Sequence, residues 1–309
     1  MILTMKKIFL ILLLLLSIQQ ISKSQNDIQF SNYMFSEITY NPAMAGNSPT
    51  LDAALIARQQ WTGFDKAPQT QLLSVHSYVD KMSGGVGLSI INDKLGFENS
   101  INVKLMYAYQ LRLTDKGDKK LSFGLGFGMI NKSLKGSELI YDDMTDENGV
   151  YTDQSKAKPD FDFGVAYNSN NFCAGISTTH IEQSLKASTV LNVPRHYYLY
   201  AKYKIKASEK INIIPSVKVR SSMFITQFDA TALMYYANKF WVGASYRMQD
   251  AIVGLIGVDI TKNFRVGYSY DYNSGAVKSY SGGSHEIVLL GSFDVSKKIT
   301  PGKSPRFFN

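Results

Sequence analysis

One cysteine, Cys173, stands in 309 residues. A disulfide framework and any Cys-based zinc site are therefore excluded. Tryptophan is scarce (2), while tyrosine (19) and phenylalanine (17) are abundant. Charged residues are 19% of the chain against 45% hydrophobic, a balance that excludes a disordered polypeptide. The formal net charge is +8, and it falls to +5 without Lys6, Lys7 and Lys23. The remaining basic residues are spread along the chain and form no stripe, which argues against a nucleic-acid partner. Beyond the first 24 residues no apolar run approaches 18 residues, so the chain is not a helical inner-membrane protein.

The N-terminus has the parts of an export signal. Lys6 and Lys7 form a basic start, and Ile8 to Ile18 is an apolar run of about eleven residues, too short to span a bilayer as a helix. Ser22-Lys23-Ser24 ahead of Gln25 suits a cleavage site. Residues 1–24 read as a cleaved signal peptide, and no cysteine follows to take a lipid.

The rest of the chain alternates with period two. Ile101, Val103, Leu105, Tyr107, Tyr109, Leu111 and Leu113 point one way, and Asn102, Lys104, Ala108, Gln110 and Arg112 the other. Leu121, Phe123, Leu125, Phe127 and Met129 oppose Ser122 and three glycines. Phe264, Val266, Tyr268, Tyr270 and Tyr272 repeat the pattern. A soluble sandwich alternates too, but several of these segments reach ten residues or more, the length of a tilted membrane-crossing strand.

About fourteen strands are expected, near 51–60, 70–79, 84–91, 101–113, 121–133, 161–168, 172–178, 196–205, 211–219, 226–236, 240–247, 252–260, 263–272 and 284–293. The long gaps 134–160, 179–195 and 273–283 then share one end of a barrel, and the short gaps 169–171, 237–239 and 261–262 share the other. Long external loops and short periplasmic turns are the usual outer-membrane asymmetry. The fold expected is an all-β transmembrane antiparallel barrel over residues 51–293. Residues 25–50 alternate poorly and form either a periplasmic extension or a plug, and residues 294–309 form a basic periplasmic tail. Pro215 inside a strand predicts a bulge or a split there.

Enzyme chemistry is not evident. His76, His180, His196 and His285 form no metal-binding spacing. Gly124, Gly126 and Gly128 lie in an alternating strand with no helix after them, so they are not a nucleotide loop; small lumen-facing residues explain them better. Ser284 and His285 are adjacent in a strand, face opposite sides and cannot act as nucleophile and base. The acidic stretch Asp142, Asp143, Asp146, Glu147, Asn148, Gly149 reads as a solvated loop, with a weak calcium site as the alternative. No catalytic, cofactor or metal residues are assigned, and Cys173 reads as a packing residue.

An ordered set of short motifs carries a family resemblance. Phe30-Ser31-Asn32-Tyr33-Met34-Phe35 precedes Tyr40-Asn41-Pro42-Ala43-Met44-Ala45-Gly46, then Arg58-Gln59-Gln60-Trp61, Pro68-Gln69-Thr70 and Asp93-Lys94-Leu95-Gly96. Trp241-Val242-Gly243-Ala244-Ser245-Tyr246-Arg247, Gly267-Tyr268-Ser269-Tyr270-Asp271, Gly283-Ser284-His285-Glu286-Ile287 and Ser304-Pro305-Arg306-Phe307-Phe308 follow. In this order they resemble the PorP/SprF family of the Bacteroidota over essentially the whole mature chain. The resemblance implies an outer-membrane barrel of the type IX secretion system. It implies a role in secreting and anchoring a partner with a C-terminal sorting domain, in some members a gliding-motility adhesin. The partners it implies are that cargo, the translocon, and periplasmic ring or peptidoglycan-binding components. Candidate partner or plug contacts are Tyr40, Asn41, Pro42, Arg58, Trp61, Tyr246, Arg247, Asp271 and His285. The alternatives are a passive channel or hydrophobic-solute transporter and, last, an outer-membrane enzyme.

Overall fold

The computed structural model describes residues 28–115, 117–141, 149–182, 193–222, 225–274 and 281–295. The leader, residues 142–148 of the acidic loop and residues 296–309 of the tail lie outside them.

The strands are β1 (Leu51–Gln59), β2 (Gln69–Val79), β3 (Gly84–Leu95), β4 (Glu98–Arg112), β5 (Lys119–Leu134), β6 (Gln154–Ser169), β7 (Phe172–Thr179) and β8 (His196–Tyr203). They continue as β9 (Ile205–Lys206), β10 (Ile211–Ser221), β11 (Thr226–Tyr236), β12 (Phe240–Arg247), β13 (Ala251–Asp259), β14 (Phe264–Asn273) and β15 (Ser284–Phe293). The two-residue β9 prolongs β8 past Lys204, so the fifteen segments make a closed antiparallel barrel of fourteen staves. Each stave pairs with its sequence neighbours, and β1 closes on β15 from Leu51↔Phe293 to Gln59↔His285. Closure leaves no sheet edge, the condition for strands to sit in hydrocarbon. No helix among the described residues is long and apolar enough to cross a membrane, which says nothing of strands.

The alternation sorts lipid from lumen. Leu105, Leu125, Phe127, Met129, Ile256, Tyr272 and Ile287 lie on the outer face, where Leu105 is 61% exposed. Their neighbours Lys104, Ser122, Asp162, Ser269, Asp271 and Glu286 face inward and are buried. Two strand expectations need correction. The sixth strand begins at Gln154, well before 161, because β5 and β6 pair without interruption from Lys119↔Ser169 to Leu134↔Gln154. Pro215 does not split its strand: β10 pairs continuously with β11 through Pro215↔Ala232. The break falls on the other neighbour, between Ser216↔Lys202 and Ile213↔Ile205, where the ladder needs no amide hydrogen from residue 215.

The connections 60–68, 135–153, 180–195 and 274–283 share one end of the barrel, called here the long-loop end. The turns at 80–83, 170–171, 237–239 and 260–263 share the other. Residues 28–50 lie in the lumen. They form three single 3₁₀ turns, Tyr33–Phe35, Glu37–Thr39 and Pro42–Met44. Phe30, Tyr33, Ile38, Tyr40, Ala43, Met44 and Ala45 are each at most 5% exposed, a buried core supplied from inside the barrel. Isolated 3₁₀ turns carry neither a helical nor a strand period, so this segment left no alternation to read.

Candidate functional site

The lumen segment is held at two levels. Nearer the long-loop end, six charges of alternating sign cross the inner wall: Lys218 on β10, Asp229 on β11, Arg247 on β12, Asp271 on β14, Arg58 on β1 and Glu286 on β15. Lys218 Nζ lies 3.1 Å from Asp229 Oδ2, and Arg247 Nε 3.2 Å from Asp229 Oδ1. Arg247 Nη1 is 2.9 Å and Arg58 Nη2 2.8 Å from Asp271 Oδ2, and Arg58 Nη1 is 3.1 Å from Glu286 Oε2. The charges cancel, so the row can be buried without a net monopole. Strand alternation aims all six inward, and no short-range motif links them.

Ser31 and Asn32 sit on this row. Glu286 accepts the Ser31 amide at 2.8 Å through Oε2 and the Asn32 amide at 2.7 Å through Oε1. The Ser31 hydroxyl donates to Asp271 at 2.7 Å and accepts from Arg58 Nη1 at 2.8 Å and Arg247 Nη2 at 3.2 Å. Charge-assisted bonds of this kind are the strong ones. Tyr33 follows, its hydroxyl donating to Thr231 at 2.9 Å, with the Lys218 ammonium 4.0 Å from its ring centre.

Deeper in the lumen, the segment lies directly against wall glycines. A Cβ at Gly124 would lie 2.1 Å from the Ala43 amide nitrogen, and one at Gly164 2.0 Å from Asn41 Oδ1. A Cβ at Gly85 would lie 2.1 Å from the Ala45 carbonyl oxygen. These wall glycines are small because the segment passes there. Asn41 caps the third turn, its Oδ1 accepting from the Ala43 amide at 3.0 Å, and Pro42 opens that turn. Tyr40 packs on Tyr198 and Tyr200, and Glu37 pairs with Lys202 and with the Tyr200 hydroxyl. Cys173 is buried in this same cluster.

The segment divides the lumen. A cavity of about 630 Å³ lies on its short-turn side, reached by Met34, Phe35, Glu37 and Met44. One of about 530 Å³ lies on its long-loop side, reached by Tyr33, Ser36, Thr39 and Tyr40. The two linings share no residue.

A second charged cluster sits on the wall opposite the row. Lys104 Nζ lies 3.0 Å from Asp160 Oδ2 and 2.6 Å from Asp162 Oδ2. The His180 ring bonds Asp160 at 3.0 Å and its amide donates to Asp162 at 3.1 Å. Asp160, Asp162 and His180 are close enough to share a metal ion, but the Lys104 ammonium already bridges both carboxylates and takes the place of a cation there. The geometry is that of an ion-paired anchor for the start of the 180–195 loop.

Of the nine candidate residues, the structure brings together Arg58, Arg247 and Asp271 at the charged row. It places Tyr40, Asn41 and Pro42 in the segment below it. Trp61 stands at the rim, its amide donating to Ser284 Oγ at 3.2 Å. Tyr246 is on the outer face, 52% exposed. His285 also faces outward, 2.6 Å from the Tyr268 hydroxyl. Both are remote from the lumen because odd and even positions of a strand part company. Ser31, Glu286, Lys218 and Asp229 were not among the candidates. Inward parity and charge on a lipid-bounded strand mark the last three.

Comparison with known proteins identifies the architecture. Residues 22–290 match the family model for the type IX secretion system membrane protein PorP/SprF. The chain belongs to the PorP/SprF family. A search of curated proteins returned no match. Among solved structures, the barrel is similar to the Ralstonia pickettii toluene transporter TbuX, with a TM-score of 0.53 and 13% identity over 84% of this chain and 93% of that one. The Acinetobacter baumannii outer membrane protein Omp33 aligns at a TM-score of 0.45, with 10% identity over 79% of this chain and 98% of that one. A Pseudomonas aeruginosa FadL homologue aligns at 0.46, with 7% identity over 90% and 99%. At 13% identity the TbuX likeness is one of fold. This PorP/SprF protein is an outer-membrane β-barrel of the type IX secretion class, and the outward alternation of its staves is the physical counterpart of that placement.

Proposed function

We propose that this PorP/SprF barrel supports the secretion and surface anchoring of an exported partner with a C-terminal sorting domain, such as a gliding-motility adhesin. It works as an interaction protein, not as an enzyme or an open channel. The observation that carries this reading is the filled lumen: residues 28–50 run through it, pinned by Glu286, Asp271, Arg58 and Arg247 and seated on wall glycines. A barrel whose interior is occupied by its own chain offers its loops and strand ends for contact. The connections 135–153, 180–195 and 274–283 are the proposed contacts with cargo, and the short-turn end the contact with the translocon and with ring or peptidoglycan-binding components. Ser284 is buried in the lumen while His285 faces outward, which speaks against a nucleophile–base pair there.

The test is crosslinked affinity purification of the tagged protein from native outer membranes, joined to single-channel recording of the purified barrel. Recovery of one large exported protein through its C-terminal domain, with an electrically silent barrel, supports the proposal. A barrel recovered alone in good yield, with steady ion conduction or hydrocarbon uptake, overturns it in favour of a channel or transporter.

A further inference from the structure

The path of residues 28–50 has a direction. At its end, Leu51 opens β1 beside Phe293, and Gly46 lies against Ser77, Tyr78 and Gly85, next to the 80–83 turn. That is the short-turn end. At its start, the Ile28 carbonyl accepts from Arg220 Nη1 at 3.1 Å and Gln29 Oε1 from Arg220 Nη2 at 3.2 Å. Arg220 is next to the last residue of β10, Ser221, beside the 222–225 connection at the long-loop end. Between these points the chain meets Arg58, Asp271 and Glu286 within three residues of the long-loop ends of their strands, then Val165 and Gly124 within five residues of the short-turn ends of β6 and β5. The segment therefore crosses the lumen once, from the long-loop mouth to the short-turn end.

We infer that Ile28, the first residue of the lumen segment, sits at the outward mouth of the barrel beside Arg220 near the end of β10, so that the chain ahead of it is presented to the outside and not to the periplasm. The inference rests on the long-loop end facing outward, the usual orientation of such barrels. It assigns the N-terminus to the surface that meets extracellular partners. The row of buried charges then acts as the clasp at the outer end, since Ser31 and Asn32 are the first described residues below the mouth to be fixed by side chains of Arg58, Arg247, Asp271 and Glu286.

The experiment is labelling of intact cells with a membrane-impermeant maleimide, in a Cys173→Ala background that removes the native thiol. Three single cysteines are compared: Ile28→Cys, Asp65→Cys in the exposed 60–68 loop, and Asp115→Cys in the exposed 113–118 turn. A parallel strain carries an epitope inserted between Asp27 and Ile28, read by antibody before and after permeabilisation. The expected result is labelling of Asp65→Cys and Ile28→Cys in intact cells, labelling of Asp115→Cys only after lysis, and epitope staining of intact cells. Epitope staining absent from intact cells, whether or not permeabilisation restores it, overturns the inference while leaving the proposed function standing. Labelling of Asp115→Cys but not Asp65→Cys in intact cells inverts the barrel. That outcome overturns both the inference and the assignment of the long loops to cargo.

Discussion

Glu286 holds Asn32 twice through one oxygen: Oε1 accepts the Asn32 backbone N–H at 2.7 Å and its side-chain Nδ2–H at 2.9 Å, across 254 positions of sequence. The other oxygen takes the Ser31 amide and the Arg58 guanidinium. Every acceptor site of this fully buried carboxylate is thus engaged by the lumen segment or by the cation that balances it.

Glu286→Gln tests that grip. The amide keeps one acceptor but turns an NH₂ toward donors, and it leaves Arg58 with a single carboxylate partner. Breaking a buried pair from one side costs about 3–5 kcal/mol. The expected outcome is a barrel that still inserts but unfolds at lower denaturant, with faster protease cleavage within residues 28–50. An unchanged midpoint would mean that the segment is held by packing alone.

Gly124→Ala tests the seat. The added methyl meets the Ala43 backbone nitrogen at 2.1 Å, so segment or wall must move. Overpacking of this kind costs about 1–3 kcal/mol. Gly254→Ala is the control, because a Cβ there meets nothing within 4 Å, and its effect should stay within about 0.5 kcal/mol. Single-channel recording should show new leak events in the first variant and none in the second.

Lys104→Ala tests the anchor of the 180–195 loop. It leaves Asp160 and Asp162 without their ammonium, and the loop's first residue, His180, is bonded to both. Proteolysis in that loop should quicken while residues 28–50 stay protected. Chelators should leave the wild-type pattern unchanged, whereas added Zn²⁺ should slow cleavage of the variant, since two carboxylates and an imidazole then lack a cation.

Asn41→Ala removes the cap of the third 3₁₀ turn, where Oδ1 accepts the Ala43 amide. Loss of such a cap costs about 1 kcal/mol. The check is the denaturation midpoint in detergent, and a drop much larger than this would assign further weight to the contacts of Asn41 with the wall.

How much was legible follows from the kind of signal each part leaves. Ile101 to Leu113 and Phe264 to Tyr272 show the strand period because one face of each meets lipid and the other the lumen. That requirement repeats every second residue and is written locally. Loop lengths are local as well, so the shared end of the long connections could be read by counting. The start of β6 was missed because Gln154 to Lys158 are mostly exposed and polar, with no apolar face to alternate.

The lumen is a different case. Arg58 and Asp271 lie 213 positions apart and on strands separated by β15, so no spacing rule connects them. Tyr246 and Arg247 are neighbours in sequence, and only strand parity sends one to lipid and the other to the clasp. The sequence alone determined an outer-membrane barrel of about fourteen staves, because a bilayer imposes the same two-residue rule on every crossing strand. Only the tertiary structure decided that residues 28–50 thread the lumen from the long-loop mouth. That path depends on closing β1 against β15, which brings six distant charges and a few scattered glycines to one interior surface, and closure leaves no periodic mark in the chain.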